Sequence, residues 1–196
     1  MDLFVTRVSD FDIPDIDTIG IPIIEYLLEQ EKGDPRGNRY SLRGKGGYHS
    51  NDNLAGMDTE WSKALKNLLH AMLTEHAAKE DRAIPPVEMC RIMCWGFILR
   101  DGDISSFHNH PSAVYSGVLY LKVPEFREEG EGQLVFVDPR AQTRVGKYYD
   151  QNVFKRITPK KGDGYVFPNW LDHFVDPHYS GKERISISFN LVDMGM

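Results

Sequence analysis

The sequence predicts an α+β fold that is mainly β, with helices backing one face of a β sandwich or barrel. Two observations carry this. Helical periodicity is confined to the first half of the chain, and from about Val87 the texture changes to short β-rich runs separated by Gly, Pro and Asp. Helices first and strands afterwards is the order of an α+β arrangement, not of alternating βαβ units. A chain of 196 residues can bury one sizeable core. One domain over 1–196 is expected, with a helical region over 1–86 packing on a β core over 87–196.

The elements follow in order. The opening "MDLFVTRVSDFDIPDID" lacks the basic start and apolar stretch of a secretory signal, so a cytoplasmic location is expected. No window approaches the run of about 18 apolar residues that a membrane span needs. "IPIIEYLLEQEK" reads as a helix with Pro22 suited to its first turn. "TEWSKALKNLLHAMLTEHAAKE" spaces Trp61, Leu65, Leu68, Leu69, Met72 and Leu73 as a helical stripe, on which His70 and His76 are incidental. Strands are expected in "EMCRIMCWGFILR", "AVYSGVLYLKV", "GQLVFVD", "GYVFP" and "ERISISFNLV". Cys90 and Cys94 fall in the first of these, where their spacing suits buried thiols better than a disulfide.

Charge and motif content exclude several functions. A net charge of −6 argues against a nucleic-acid surface, and the local basic runs Arg36 to Gly47 and Lys155 to Lys161 read as solvated loops. "GKGG" at Gly44 to Gly47 lacks the spacing of a phosphate loop, and no GxGxxG follows a strand. There is no GxSxG elbow and no paired CxxC, so serine or cysteine nucleophiles have no support.

What remains is "FHNHP". In an extended strand residues i and i+2 share a face, so His108 and His110 could present two imidazole nitrogens to one point, although the same pair would suit a polar turn. A metal needs a third ligand. The candidate is His173 in "FPNWLDHFVDP". "ERISISFN" sharpens the picture: Arg184, Ser186 and Ser188 fall on one face and Ile185, Ile187 and Phe189 on the other. An arginine on the inner face of a barrel requires an anion, because an unpaired buried guanidinium is costly. Its planar fork matches a carboxylate, and a serine two residues on can donate to the same oxygens.

"HNHP", "SGVLYL", "GQLVFVDPR", "P(x)2GD(x)2VFPNWLDHFVDP" and "RISISFN", in that order over roughly residues 40 to 192, resemble the iron(II)- and 2-oxoglutarate-dependent oxygenase superfamily. More narrowly, the chain is similar to a small group of bacterial and phage members that combine "GGYHS"-type and "HxHP...SGVYYL"-type motifs. The resemblance implies a double-stranded β-helix, or jelly roll, with the metal inside. It implies His108 and His173 as iron ligands, Arg184 with Ser186 as the anchor for the far carboxylate of 2-oxoglutarate, and Tyr120 as a hydroxyl sharing that carboxylate. Ser116, on the same strand face as Tyr120, is a weaker candidate for that contact. The implied reaction consumes O2 and 2-oxoglutarate, releases succinate and hydroxylates a C–H bond of an unidentified primary substrate.

One position departs from the pattern. The superfamily's second ligand is ordinarily Asp or Glu, and here it is His110, which leaves the metal more positive. Asp138, Asp103 or Asp172 could supply a carboxylate to the metal or accept a hydrogen bond from a ligand histidine, with Asp138 the favoured acceptor. Three neutral histidines also serve some cupin-type dioxygenases that use no oxo acid, and a jelly roll can bind metal without turnover. Both alternatives stay open on sequence alone. "GGYHS" (Gly46 to Ser50) and "KYYD" (Lys147 to Asp150) read first as turns; as loops at the mouth they would make His49 a substrate contact. Barrel edges leave room for a homodimer.

Overall fold

The structure is a computed structural model that describes residues 4–37, 44–140 and 153–192. "KYYD" therefore lies outside the described residues, as does most of the basic run after Arg36. The elements are β1 (Ser9–Asp12), α1 (Asp17–Gly33), β2 (Gly44–Lys45), β3 (Tyr48–His49), α2 (Glu60–Ala78), β4 (Arg91–Leu99), β5 (Ile104–His108), β6 (Ala113–Lys122), β7 (Leu134–Val137), β8 (Phe154–Ile157), β9 (Asp163–Pro168), β10 (His173–Val175) and β11 (Arg184–Val192). Every strand run expected from the sequence contains a strand.

The strands form two antiparallel sheets. One has six strands in the order β1-β9-β6-β11-β4-β3, and the other five in the order β2-β5-β10-β7-β8. Both orders interleave distant strands, as in a jelly roll. The first 86 residues are not only helical, since β1 and β3 extend the larger sheet and β2 borders the smaller one. These strands are too short and polar for their alternation to register in sequence. β1, for example, is "SDFD".

Two apolar layers result. On β11 the side chains of Ile185, Ile187, Phe189 and Leu191 pack outward against Ile23 and Leu27 of α1 and Leu65, Leu69, Met72 and Leu73 of α2, all buried. Between the sheets lie Leu99, Val118, Tyr120, Leu134, Phe136, Phe167 and Val175. The helices thus cover one face of the larger sheet and leave its other face to the interior. α1 approaches closely enough that Gly96 of β4 is required: a Cβ there would collide with Leu27.

Helix starts follow local chemistry. Thr59 caps α2 by accepting from Ser62 N–H at 3.2 Å. α1 begins at Asp17, so Pro22 sits inside the helix and not in its first turn. The earlier start is held by Gly20 N–H donating to Ile16 C=O at 2.7 Å, with Gly20 against Leu121 of β6. Cys90 and Cys94 are both buried free thiols. Among the described residues, no helix is long and apolar enough to cross a membrane.

Candidate metal centre

The inner face of the larger sheet and the inner face of the smaller one enclose a cavity of about 310 Å3. β11 contributes Arg184, Ser186, Ser188 and Asn190, the polar half of the alternation read in "RISISFN". β4 contributes Met93, Trp95 and Phe97. His108, His110 and His173 face them from the opposite sheet and its loops.

The three histidines converge. Register pairs His173 of β10 with His108 of β5, which makes the two cross-strand neighbours. β5 ends at His108, so His110 reaches the cavity from the turn that follows, not from an extended strand. That turn is held by His110 N–H donating to Asn169 C=O at 2.9 Å and Ala113 N–H donating to His110 C=O at 3.0 Å. The ring centroids are 4.3 Å apart for His108 and His173, 4.9 Å for His108 and His110, and 5.2 Å for His110 and His173. One nitrogen from each ring lies within 4.8 Å of the other two. A triangle of that size has its corners within about 2.8 Å of a common centre, close to the roughly 2.1 Å of an imidazole–metal bond.

Hydrogen bonding also sets the tautomers of two rings. His108 Nδ1 lies 2.6 Å from Ser106 C=O, and His173 Nδ1 lies 2.9 Å from Leu171 C=O. A carbonyl only accepts, so Nδ1 carries the hydrogen in each ring and Nε2 carries the lone pair that a metal requires. Asn109, between the two motif histidines, donates to Asp172 Oδ1 at 2.8 Å and so ties the "HNHP" turn to the residue before His173. Phe167 and Phe136 pack on His173, with ring centroids at 4.8 and 6.2 Å. The donor set fits a metal that accepts neutral imidazole nitrogen.

Deeper in the same cavity Arg184 is 1% exposed. Its Nη2 donates to Tyr120 Oη at 3.0 Å and the guanidinium sits 4.7 Å from the Tyr120 ring centre. Burial raises the Tyr120 hydroxyl above its ordinary pKa, with Arg184 opposing the shift, so the phenol stays neutral. Arg184 Nε has no hydrogen-bond partner, and no carboxylate pairs with this guanidinium among the described residues. Ser186, 2% exposed, follows on the same face. An acidic group entering the cavity would meet all three side chains.

His49 also reaches the cavity, at its wall. It stacks on Trp95 with ring centroids 5.3 Å apart and meets Phe97 edge-on at 5.9 Å. Burial lowers its pKa, against the opposing effect of its Nδ1–H donating to Ser50 C=O at 2.7 Å.

Three expected residues lie elsewhere. Ser116 is four positions from Tyr120 along β6, about 13 Å in a strand, and its hydroxyl bonds Asn190 Oδ1 at 2.8 Å instead of turning toward Arg184. Asp138 is drawn to Arg140, accepting from Arg140 Nη2 at 2.6 Å, and lines a separate hollow beside Val153 and Lys155. Asp103 accepts from Arg100 N–H at 2.8 Å. The sequence reading did not single out Asn190, Trp95 or Met93. Each continues an alternation already visible in "RISISFN" or "RIMCWGF".

Residues 93–190 match a family model described as "Putative 2OG-Fe(II) oxygenase". No curated protein matches the sequence. Among solved structures, a Pseudomonas putida prolyl-4-hydroxylase superposes with TM-score 0.66 at 16% identity, covering 99% of this chain and 96% of that one. HygX from Streptomyces hygroscopicus, solved with nickel and 2-oxoglutarate bound, gives 0.66 at 11% identity over 97% and 84% of the chains. A Trichoplax adhaerens prolyl hydroxylase in complex with a hypoxia inducible factor peptide fragment gives 0.62 at 14% identity over 96% and 84%. At these identities the likeness is one of fold.

Proposed function

The chain belongs to the 2OG-Fe(II) oxygenase family, and from that premise we propose that His108, His110 and His173 hold the iron while Arg184, Ser186 and Tyr120 hold the far carboxylate of 2-oxoglutarate. The protein is an oxygenase whose cofactors are iron(II) and 2-oxoglutarate. The single observation that carries the site assignment is Arg184: a guanidinium buried in the histidine-lined cavity, with a phenol as its neighbour and one N–H unsatisfied. Leaving that charge uncompensated is expensive, and a dicarboxylate tail offsets it.

With iron and 2-oxoglutarate bound, the centre couples O2-dependent decarboxylation of 2-oxoglutarate, to succinate and CO2, with oxidation of a primary substrate. The residues do the rest. Arg184 and the Tyr120 and Ser186 hydroxyls orient the oxo acid by its remote end. Ser106 and Leu171 carbonyls hold two ligand rings in the tautomer that binds metal. Val118, Leu134, Phe167 and Val175 give the same cavity an apolar lining. His49, Trp95 and Phe97 form an aromatic wall against which the primary substrate rests, and C–H hydroxylation is the reaction proposed there.

The test is an anaerobic titration with iron(II) and then 2-oxoglutarate, followed by the visible charge-transfer absorption of the chelate. The band should form in the wild type and be lost in His173→Ala. In Arg184→Ala, metal should bind without comparable 2-oxoglutarate binding. Normal oxo acid binding by Arg184→Ala would overturn the anchor. Oxygen consumption independent of 2-oxoglutarate would overturn the proposed chemistry.

A further inference from the structure

Asn190 follows Arg184, Ser186 and Ser188 on the cavity side of β11, and only 9% of it is exposed. It lies opposite Ser116 of β6, whose hydroxyl donates to its side-chain oxygen at 2.8 Å. Its amide nitrogen is 3.4 Å from His110 Nδ1. His110 is thereby set apart from the other two rings. His108 and His173 direct Nδ1 at backbone carbonyls, whereas His110 directs Nδ1 at a side-chain amide.

The difference matters because an amide can present either end. A half-turn about its last bond exchanges oxygen for nitrogen with almost no change in shape, and a serine hydroxyl can donate or accept to match. With nitrogen toward the ring, His110 Nδ1 must accept, and Nε2 then carries the hydrogen. With oxygen toward the ring, Nδ1 donates, Nε2 carries the lone pair, and Ser116 accepts from the amide NH2. Only the second arrangement gives His110 the same tautomer as its two neighbours.

We infer that Asn190 is a positioning residue for the metal centre: its side-chain oxygen accepts the Nδ1 hydrogen of His110, Ser116 takes an amide hydrogen, and the pair selects the ring form that completes three nitrogen donors. This rests on His110 being a ligand. A neutral amide suits the task, since it fixes the tautomer without adding charge beside the ring. The Asn190–Ser116 pair also gains a reason to be buried, on a strand whose Arg184 and Ser186 serve the carboxylate.

The experiment uses the full chain and cobalt(II) alone. Long-range 15N–1H correlations of the metal-free wild type at pH 8 should show His110 in the Nδ1–H form. Asn190→Leu, with folding checked by its thermal transition, should weaken cobalt(II) binding about 10- to 100-fold and move His110 toward the Nε2–H form. Asn190→Asp, which retains an acceptor, should restore binding. A wild-type His110 in the Nε2–H form overturns the inference even if Asn190→Leu does not fold, as does Asn190→Leu binding within about twofold of wild type. Cobalt(II) bound as tightly by His110→Ala would instead remove the ligand assignment beneath it.

Discussion

His173 of β10 stands directly across the smaller sheet from His108 of β5, their ring centres 4.3 Å apart. A register slip of one residue would send one imidazole to the opposite face, so pairing of the two strands and convergence of the two rings are a single event. The strand pair forms the rigid half of the metal centre, and His110 closes it from a turn.

His173→Ala should therefore abolish metal binding, by more than about 100-fold, while leaving the fold in place. Calorimetric titration with cobalt(II), alongside a thermal melt, checks this. Tight binding by the variant would place the ion somewhere else.

Arg184→Ala should leave metal affinity unchanged and weaken 2-oxoglutarate by about 2 to 5 kcal/mol, because a desolvated carboxylate loses its partner. Tyr120→Phe removes one hydroxyl from the same end and should cost about 0.5 to 1.5 kcal/mol. Equilibrium dialysis with labelled 2-oxoglutarate separates the two. An equal loss from both variants would contradict the guanidinium as principal anchor.

Stability should fall with acid through His76. This ring is fully buried on α2, with Nδ1 2.9 Å from Ser9 Oγ of β1, and its Nε2 lies 4.0 Å from Glu80. Burial lowers its pKa, Glu80 opposes that shift, and Arg7 and Lys79 add to it. The unfolded chain therefore binds the proton more readily. The contribution is complete above the ordinary value of 6.5 and is lost as pH falls below it toward the folded value. Melting temperatures from pH 8 to 5 should drop less in His76→Gln than in the wild type.

Gly96→Ala should destabilise the chain by about 1 to 3 kcal/mol, since the added methyl meets Leu27 where α1 crosses β4. Chemical denaturation measures it. Pairing the change with Leu27→Ala should recover part of the loss if the contact is the cause.

Much of the fold and of the site could be read from alternation. "RISISFN" separates into an apolar face that meets the helices and a polar face that meets the cavity, as the packing of Ile187 and the lining by Ser186 show. Position in three dimensions was harder. Ser116 and Tyr120 share a face, but the length of strand between them leaves Tyr120 in the cavity beside Arg184 and Ser116 bonded to Asn190 behind its lining. Asp138 was a plausible acceptor until Arg140, two residues on, claimed it. His110 lies past the end of its strand, where periodicity no longer dictates direction. Asn190 is the fourth polar member of the series Arg184, Ser186, Ser188, at the end of the run where the alternation stops. β1 escaped because four residues with two aspartates carry little periodic signal.

The placing of β10 has one further result. It is only three residues long, yet it runs down the middle of the five-stranded sheet with β5 on one flank and β7 on the other. Fraying starts at the margins of a sheet, at β2 or β8, and must release a neighbour before it reaches His173. Backbone amides around that imidazole should thus exchange with deuterium far more slowly than so short a segment would by itself.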